Sequence, residues 1–317
     1  MPATTTSLND FYSELQSFYK EHKGDEVLVY LDQHLKQADV QNDSNYYCAV
    51  LNELAGALRI RGRFSEAQSH LEYLLSYLVK QGVSDLDIAN AKLNLGSVYA
   101  AQKLWDRAID SYNSALESLN CCNVDKGISY IKYLVLPSKR YSPLKNLNQE
   151  LLETYEPSIL YSLSSILNNR SVALREACRL DEALSDALDA LHILEALEFG
   201  ADKPRPVQIM LASLNCAEVY LKLDHVILAK EFIDKELNKL DLREYLHLDF
   251  HYAYLFAGAA ELLFKAKSFL RAAELYKKAY ELYENSIGDC TYVTTLKKNY
   301  KKSLELQMLG VESNEGS

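Results

Sequence analysis

The sequence predicts an all-α protein built as a solenoid of stacked helix pairs. Three observations predict it. Apolar and small residues recur on single helix faces with a common period slightly above 40 residues. Glycine and proline are scarce, 11 and 6 in 317 residues, which argues against an all-β chain with many tight turns. The prolines, at positions 2, 137, 143, 157, 204 and 206, avoid the interiors of the repeating stretches, as a residue without a backbone donor must in a helix.

The repeat is clearest in LNLGSVYAAQKLWDRAIDSYNSAL, Leu93 to Leu116. Leu95, Gly96 and Tyr99 share one helix face, and Ala108, Tyr112 and Ala115 share a face of the next helix. The small residues let two helices cross closely, and the large ones fill the space around the crossing. The small residue of each second helix marks the phase: Val27, Ala67, Ala108, Ala183, Ala229 and Ala272, spaced 40, 41, 75, 46 and 43 residues apart. Twelve residues before each marker stands Leu15, Ala55, Gly96, Ser171, Ala217 or Ala260. GDEVLVYLDQHL, around Val27, is the weakest copy. DCTYVTTLKKNYKKSLELQML, Asp289–Leu309, predicts a closing helix: its lysines face water, and Val293, Leu296, Tyr300 and Leu304 cover the last repeat. VESNEGS reads as a disordered tail.

These elements divide the chain into N-terminal repeats over 7–119, an insertion over 120–158, C-terminal repeats with the closing helix over 159–308, and a tail over 309–317. The insertion holds half of the prolines. A degenerate repeat would be about as long, but no matching small-residue pair is present, so the segment reads as an irregular connection. Long connections in compact arrays often carry function. This one folds over the groove, presents its own binding edge, or is a surface excursion packed by Tyr130, Tyr133 and Leu134.

The pattern of Leu, small, Tyr, Ala, aromatic and Ala at these offsets resembles the tetratricopeptide repeat. The period resembles that of the longer variety found in kinesin light chains and many bacterial proteins. The resemblance covers about residues 7–308. It implies a right-handed superhelix of about six helix pairs plus a C-terminal capping helix, with the first helix of each pair lining a concave groove. With the small residue of the first helix set as position 8, the resemblance implies that positions 2, 5, 6, 9, 12 and 13 face that groove or its floor. Position 6 is Asn94, Asn169 and Asn215, and position 5 holds Asn52 and Asn168. The resemblance implies that asparagine at position 6 grips a ligand's backbone, and a carboxamide suits that work because it offers two donors and a double acceptor on a short stem. Flanking residues would supply selectivity: Arg59, Arg175, Lys222 and Lys265, Glu53, Glu176, Glu218 and Glu261, and the apolar Leu93, Leu214, Tyr254 and Phe264. The alternative is that the asparagines bond the neighbouring repeat and fix its register. Arg170 departs from the pattern, standing where Leu54 and Leu95 stand elsewhere. A buried arginine must be paired, and the expected solutions are snorkelling to the groove or a carboxylate from the insertion. Position 5 varies among Asn52, Leu93, Asn168, Leu214 and Ala257, which does not match the basic clamp by which some chaperone-linked repeats hold a C-terminal carboxylate.

Charge and motif content narrow the function further. The net charge is −10, and the densest basic stretch, Lys297, Lys298, Lys301 and Lys302, has the spacing of a solvated helix face. Nucleic acid is therefore not the expected partner. No C-x-x-C occurs, and Cys48, Cys178 and Cys216 fall inside predicted helices, where a reduced cysteine acts as a small apolar residue. His247 and His251 are expected on one helix, but Leu248 stands where a metalloprotease motif needs Glu and no third ligand is evident. No phosphate loop and no G-x-S-x-G elbow occurs. No cofactor, metal or enzymatic activity is expected. The N-terminus lacks a basic region followed by an apolar core, and no run of about 18 apolar residues exists, so neither secretion nor a membrane partner is expected and a reducing cytoplasm is. The function expected is that of a non-catalytic adaptor binding an extended peptide or protein segment in the concave groove. The alternatives are a structural scaffold acting by self-association and a cytoplasmic peptide-responsive regulator.

Overall fold

The computed structural model describes residues 7–20, 24–41, 44–82, 84–121, 155–198, 206–240, 242–243, 245–248, 251–287 and 291–310. The chain divides into two compact units, Met1–Lys139 and Arg140–Ser317. The first contains α1 (Leu8–Lys20), α2 (Gly24–Gln41), α3 (Ser44–Ile60), α4 (Phe64–Gln81), α5 (Asp85–Ala101) and α6 (Trp105–Cys121). The second contains α7 (Pro157–Glu176), α8 (Leu180–Glu198), α9 (Pro206–Lys222), α10 (Val226–Leu237), a short 3-10 turn (Tyr245–His247), α11 (His251–Lys265), α12 (Phe269–Ile287) and α13 (Thr291–Met308). Among the described residues these make six hairpins and a closing helix, all of them α-helical apart from the short 3-10 turn. Most of the expected insertion, residues 122–154, lies outside the described residues, as do the last seven residues of the expected tail.

In the five hairpins whose turn lies among the described residues, the turn is the same device each time. Gly62, Lys103, Cys178, Asp224 and Lys267 all adopt positive φ, between 58° and 72°. Each stands five residues before its phase marker. The amide after each of them reaches back to the first helix: Arg63 N–H to Leu58 O, Leu104 to Tyr99, Arg179 to Leu174, His225 to Tyr220 and Ser268 to Leu263, at 2.8–3.0 Å. This six-to-one bond is the Schellman closure of a helix C-terminus. It corrects the placement of Cys178, which was expected inside a helix. Cys178 is the exposed turn residue of its hairpin, whereas Cys216 is fully buried in α9 and Cys48 lies in α3.

The phase markers sit where the helices cross. Val27, Ala67, Ala108, Ala183, Ala229 and Ala272 are all fully buried, as are Ala55, Ser171, Ala217 and Ala260 of the first helices. In unit 1 the first helix α5 packs on both α6 and α3, and in unit 2 α9 packs on α7, α8, α10 and α11. Each hairpin thus buries its apolar stripe against its neighbour, as quasi-one-dimensional stacking requires. The closing helix buries Val293 and Leu296 against the last hairpin. Its lysines are less uniformly solvated than expected: Lys297 pairs with Glu284 at 3.0 Å and lies over the Tyr280 ring, and Lys302 lies over Phe264. Long apolar stems explain this, because they can cover aromatic surface while the ammonium stays wet.

Two further placements differ from expectation. His247 and His251 are not on one helix, since His247 ends the 3-10 turn and His251 begins α11. The turn is held from outside: the Tyr245 hydroxyl meets Glu281, and Lys278 lies over the Tyr245 ring while donating to Leu242 O at 2.9 Å. Arg170 is 7% exposed, so it does not snorkel to the surface, and the insertion carboxylate that was its other expected partner lies outside the described residues. It forms a bidentate pair with Asp186 of α8, the partner helix of its own hairpin, with Nε–Oδ2 2.6 Å and Nη2–Oδ1 2.8 Å.

The N-terminal hairpin rests on an aromatic cluster around His34, which is 9% exposed. Its ring lies against Phe11, Tyr30 and Tyr46, and Nδ1 bonds the Tyr46 hydroxyl. Burial lowers the His34 pKa below its ordinary 6.5, opposed by the nearby Glu14. A histidine held neutral in the fold favours the folded state above the unfolded pKa. That contribution is lost as pH falls from about 6.5 toward the lower folded value. Thermal melts at pH 7.5 and pH 5.5 should therefore show a smaller drop in Tm for His34→Phe than for the unsubstituted chain. Equal drops would place the acid sensitivity elsewhere.

Candidate functional site

The first helices α3, α5, α7, α9 and α11 carry every residue that sequence reasoning placed at a binding surface. The structure resolves how these residues meet between consecutive repeats. In unit 1, Asn94 Nδ2 donates to Asn52 Oδ1 at 2.7 Å. In unit 2, Asn215 Nδ2 donates to Asn168 Oδ1 at 2.8 Å. Both bonds join position 6 of one repeat to position 5 of the repeat before it, so the register contact is present at both junctions.

The same meeting point recurs with other chemistry. Position 5 of the first repeat is Tyr12, and position 6 of the second is Glu53. Burial raises the Tyr12 pKa, and the Glu53 charge adds to it. The Glu53 carboxyl is itself pushed up by burial. Position 5 of α9 is Leu214, and it faces Gly258 at position 6 of α11. Amide faces amide, and leucine faces glycine. Sequence reasoning counted these positions separately. The signal that would have joined them is the pairing of position 5 of each repeat with position 6 of the next. Asn169 also makes a polar or ring contact of its own.

The charged flanks form a second ladder in unit 2. Arg175, 7% exposed, bonds Glu176 through Nε at 3.0 Å. Its Nη1 stands 2.7 Å from Glu218 of α9, off the hydrogen-bond direction. Lys265 of α11 approaches the same Glu218 at 3.5 Å and Glu261 at 3.0 Å. Lys222 approaches Glu176 at 3.4 Å. Burial works against the Glu176 charge, but Arg175 and Lys222 hold its pKa below the ordinary value. In unit 1, Arg59 is half-buried in α3 and opposes the rise that burial gives the Tyr112 hydroxyl. Tyr254 is the most open of the predicted residues with apolar area, 46% exposed, and Leu211, one repeat earlier at the same position 2, is also 46% exposed. Tyr254 is braced by Tyr283 and Tyr292, which sequence reasoning did not single out.

Among the described residues, no group of three or more His, Cys, Asp or Glu side chains stands together as a metal site would require. No described helix is long and apolar enough to cross a membrane.

Residues 46–120 match the family model for the tetratricopeptide repeat. The solved structure of BtubC (BKLC) from P. vanneervenii aligns with a TM-score of 0.52 at 16% identity, covering 73% of this chain and 78% of that one. A tetratricopeptide repeat protein from Parabacteroides merdae aligns at 14% identity over 93% of this chain and 98% of its own, with a TM-score of 0.35. The TPR2AB domain of yeast Sti1 in complex with pHSP90 aligns at 15% identity over 93% and 98%, with a TM-score of 0.34. Of these three the first alone exceeds a TM-score of 0.5, and the likeness there is one of fold. No curated protein matches by sequence. The matched segment carries tetratricopeptide repeats, and the hairpins of both units share its geometry of closely crossed small residues.

Proposed function

We propose that the chain is a non-catalytic adaptor that takes an extended peptide or protein segment along its first-helix faces. One observation carries the reading. Consecutive first helices of unit 2 present equivalent side chains openly, Leu211 from α9 and Tyr254 from α11, each 46% exposed, and α11 also carries exposed charged groups that pair with one another. A ligand in extended form can meet one such element per repeat, and exposed tyrosine supplies contact area at low entropic cost. The paired amides support the same reading. Each pair uses one donor and one acceptor of a larger inventory, so Asn52 with Asn94 and Asn168 with Asn215 are pre-oriented groups that a peptide backbone can still engage. Asn169, Arg59, Arg175 and Lys222 would flank that backbone. Cytoplasmic residence fits the reduced cysteines among the described residues.

The test uses the intact chain and peptides selected on it from a displayed random library. Substituting Asn94, Asn169 and Asn215 together by Ala should lower the affinity of selected peptides about tenfold or more, since each lost peptide bond contact contributes about 0.5–1.5 kcal/mol. Helical content by circular dichroism should be unchanged, and Tm should fall by a few degrees because two inter-repeat bonds go with the side chains. Unchanged affinity with a lowered Tm would assign these asparagines to register alone.

A further inference from the structure

Position 6 is Asn94, Asn169 and Asn215 in three repeats and glycine in the last, Gly258. The exchange leaves a gap one side chain wide on the face of α11. A Cβ built on Gly258 would meet only Leu214 Cδ1, at 3.6 Å, an ordinary contact. Leu214 therefore walls the gap without filling it. Tyr254 stands four residues before Gly258 and Glu261 three after, so an aromatic ring, a gap and a carboxylate follow one another along one helix face.

The ring is fixed in place. Tyr254 stacks on Tyr292 of α13 at 5.3 Å between centroids with 28° between planes. It meets Tyr283 of α12 edge-on at 5.4 Å and 86°, and the two hydroxyls lie 3.0 Å apart. Three helices thus hold a ring that stays 46% exposed. Aromatic faces carry negative quadrupole density. The Glu261 side chain, 60% exposed, adds a full negative charge nearby, and with burial and Tyr283 it raises the Tyr292 pKa. Lys265 is the resident cation, at 3.0 Å from Glu261 and 3.5 Å from Glu218. An exposed pair of this kind contributes little, and Lys265 has Glu218 as a second partner if Glu261 is engaged from outside.

We propose that Tyr254, Gly258 and Glu261, walled by Leu214, form a subsite for an arginine side chain of a bound peptide or protein segment. The aliphatic stem lies over Gly258 against Leu214. The guanidinium stacks on the Tyr254 ring and pairs with Glu261. Arginine fits better than lysine because its planar head can stack and pair at once. The subsite rests on the reading that the first-helix face takes a peptide, and it names one side chain which that peptide carries.

The test has two arms on the full chain. In the first, protein with ring-labelled tyrosine is titrated with N-acetyl-arginine methylamide and followed by NMR. The Tyr254 and Tyr292 ring signals should shift with the arginine probe, less with the lysine analogue and not with the glutamate analogue. Gly258→Asn, which fills the gap with the residue found in other repeats, and Glu261→Gln should each abolish the shift. In the second arm, peptides selected from a random library should be enriched in arginine at one position. Tyr254→Ala should weaken those peptides about fivefold to tenfold, in the range of a desolvated cation–π contact. Selected peptides that bind without arginine enrichment, indifferent to Gly258→Asn and Glu261→Gln, would overturn the subsite and leave the peptide-binding reading standing. An arginine shift blocked by Gly258→Asn, with no library peptide bound, would uphold the subsite and overturn the wider reading. No response in either arm overturns both.

Discussion

Replacing Asp186 by alanine is expected to destabilise unit 2 by about 3–5 kcal/mol, as breaking one side of a buried ion pair does. The Arg170 guanidinium would be left 7% exposed without its bidentate partner. Burial works against the Arg170 charge and Asp186 more than offsets it, so the folded pKa stands above the ordinary value. With Asp186 gone the guanidinium cannot escape by losing its proton, because an arginine keeps its charge in any protein setting. The reverse substitution, Arg170→Ala, should cost less and depend on pH. Burial already pushes the Asp186 carboxyl up against the pull of Arg170, so a stranded Asp186 can take a proton and become neutral. Removing both partners together, as Arg170→Leu with Asp186→Leu, should recover most of the loss, since apolar groups can replace a buried pair at little net cost. Urea unfolding of the four proteins at pH 7 and pH 5 separates these outcomes. If Asp186→Ala is no worse than Arg170→Ala at either pH, the pair is not holding the hairpin.

That pair also shows where the sequence stops being legible. Arg170 announces itself, because it occupies a slot that Leu54 and Leu95 fill elsewhere, and burial of an arginine demands a partner. Asp186 was not foreseen as a partner, because it looks like an ordinary polar residue of an amphipathic second helix. Only the hairpin crossing brings residues 16 apart face to face. The period, the hairpins, the crossing residues and the closing helix were legible, because small residues at fixed offsets are required wherever two helices cross closely. The αL turn was not, since Lys103, Cys178, Asp224 and Lys267 share a backbone conformation and no side-chain chemistry. The asparagines were legible as a series but not as pairs. A contact between position 5 of one repeat and position 6 of the next is invisible while each column is read by itself.

Gly96→Ala and Gly56→Ala should move stability in opposite directions, although both replace a glycine inside a first helix of unit 1. Alanine is favoured over glycine in a helix interior by roughly 0.5–1 kcal/mol. At Gly56 nothing lies within 4 Å of the added carbon, so the substitution should stabilise by about that amount. At Gly96 the carbon would stand 2.5 Å from Tyr112 Cε1 and 2.7 Å from Cδ1. The Tyr112 ring is 1% exposed and packed between α5 and α6, so it cannot swing aside without disturbing the crossing. Overpacking of this kind costs about 1–3 kcal/mol, which exceeds the helix-propensity gain and leaves Gly96→Ala destabilised by about 1–2 kcal/mol. The difference between the two variants, about 2 kcal/mol, is the quantity to measure, because the propensity term is common to both and cancels. If the two variants are equally stable, α5 and α6 do not approach at Gly96, and the small residue there has some purpose other than close crossing. A Tyr112→Leu change in the Gly96→Ala background separates the causes further. It should relieve the clash and recover part of the loss, whereas in the unsubstituted chain the same change removes buried area and costs stability.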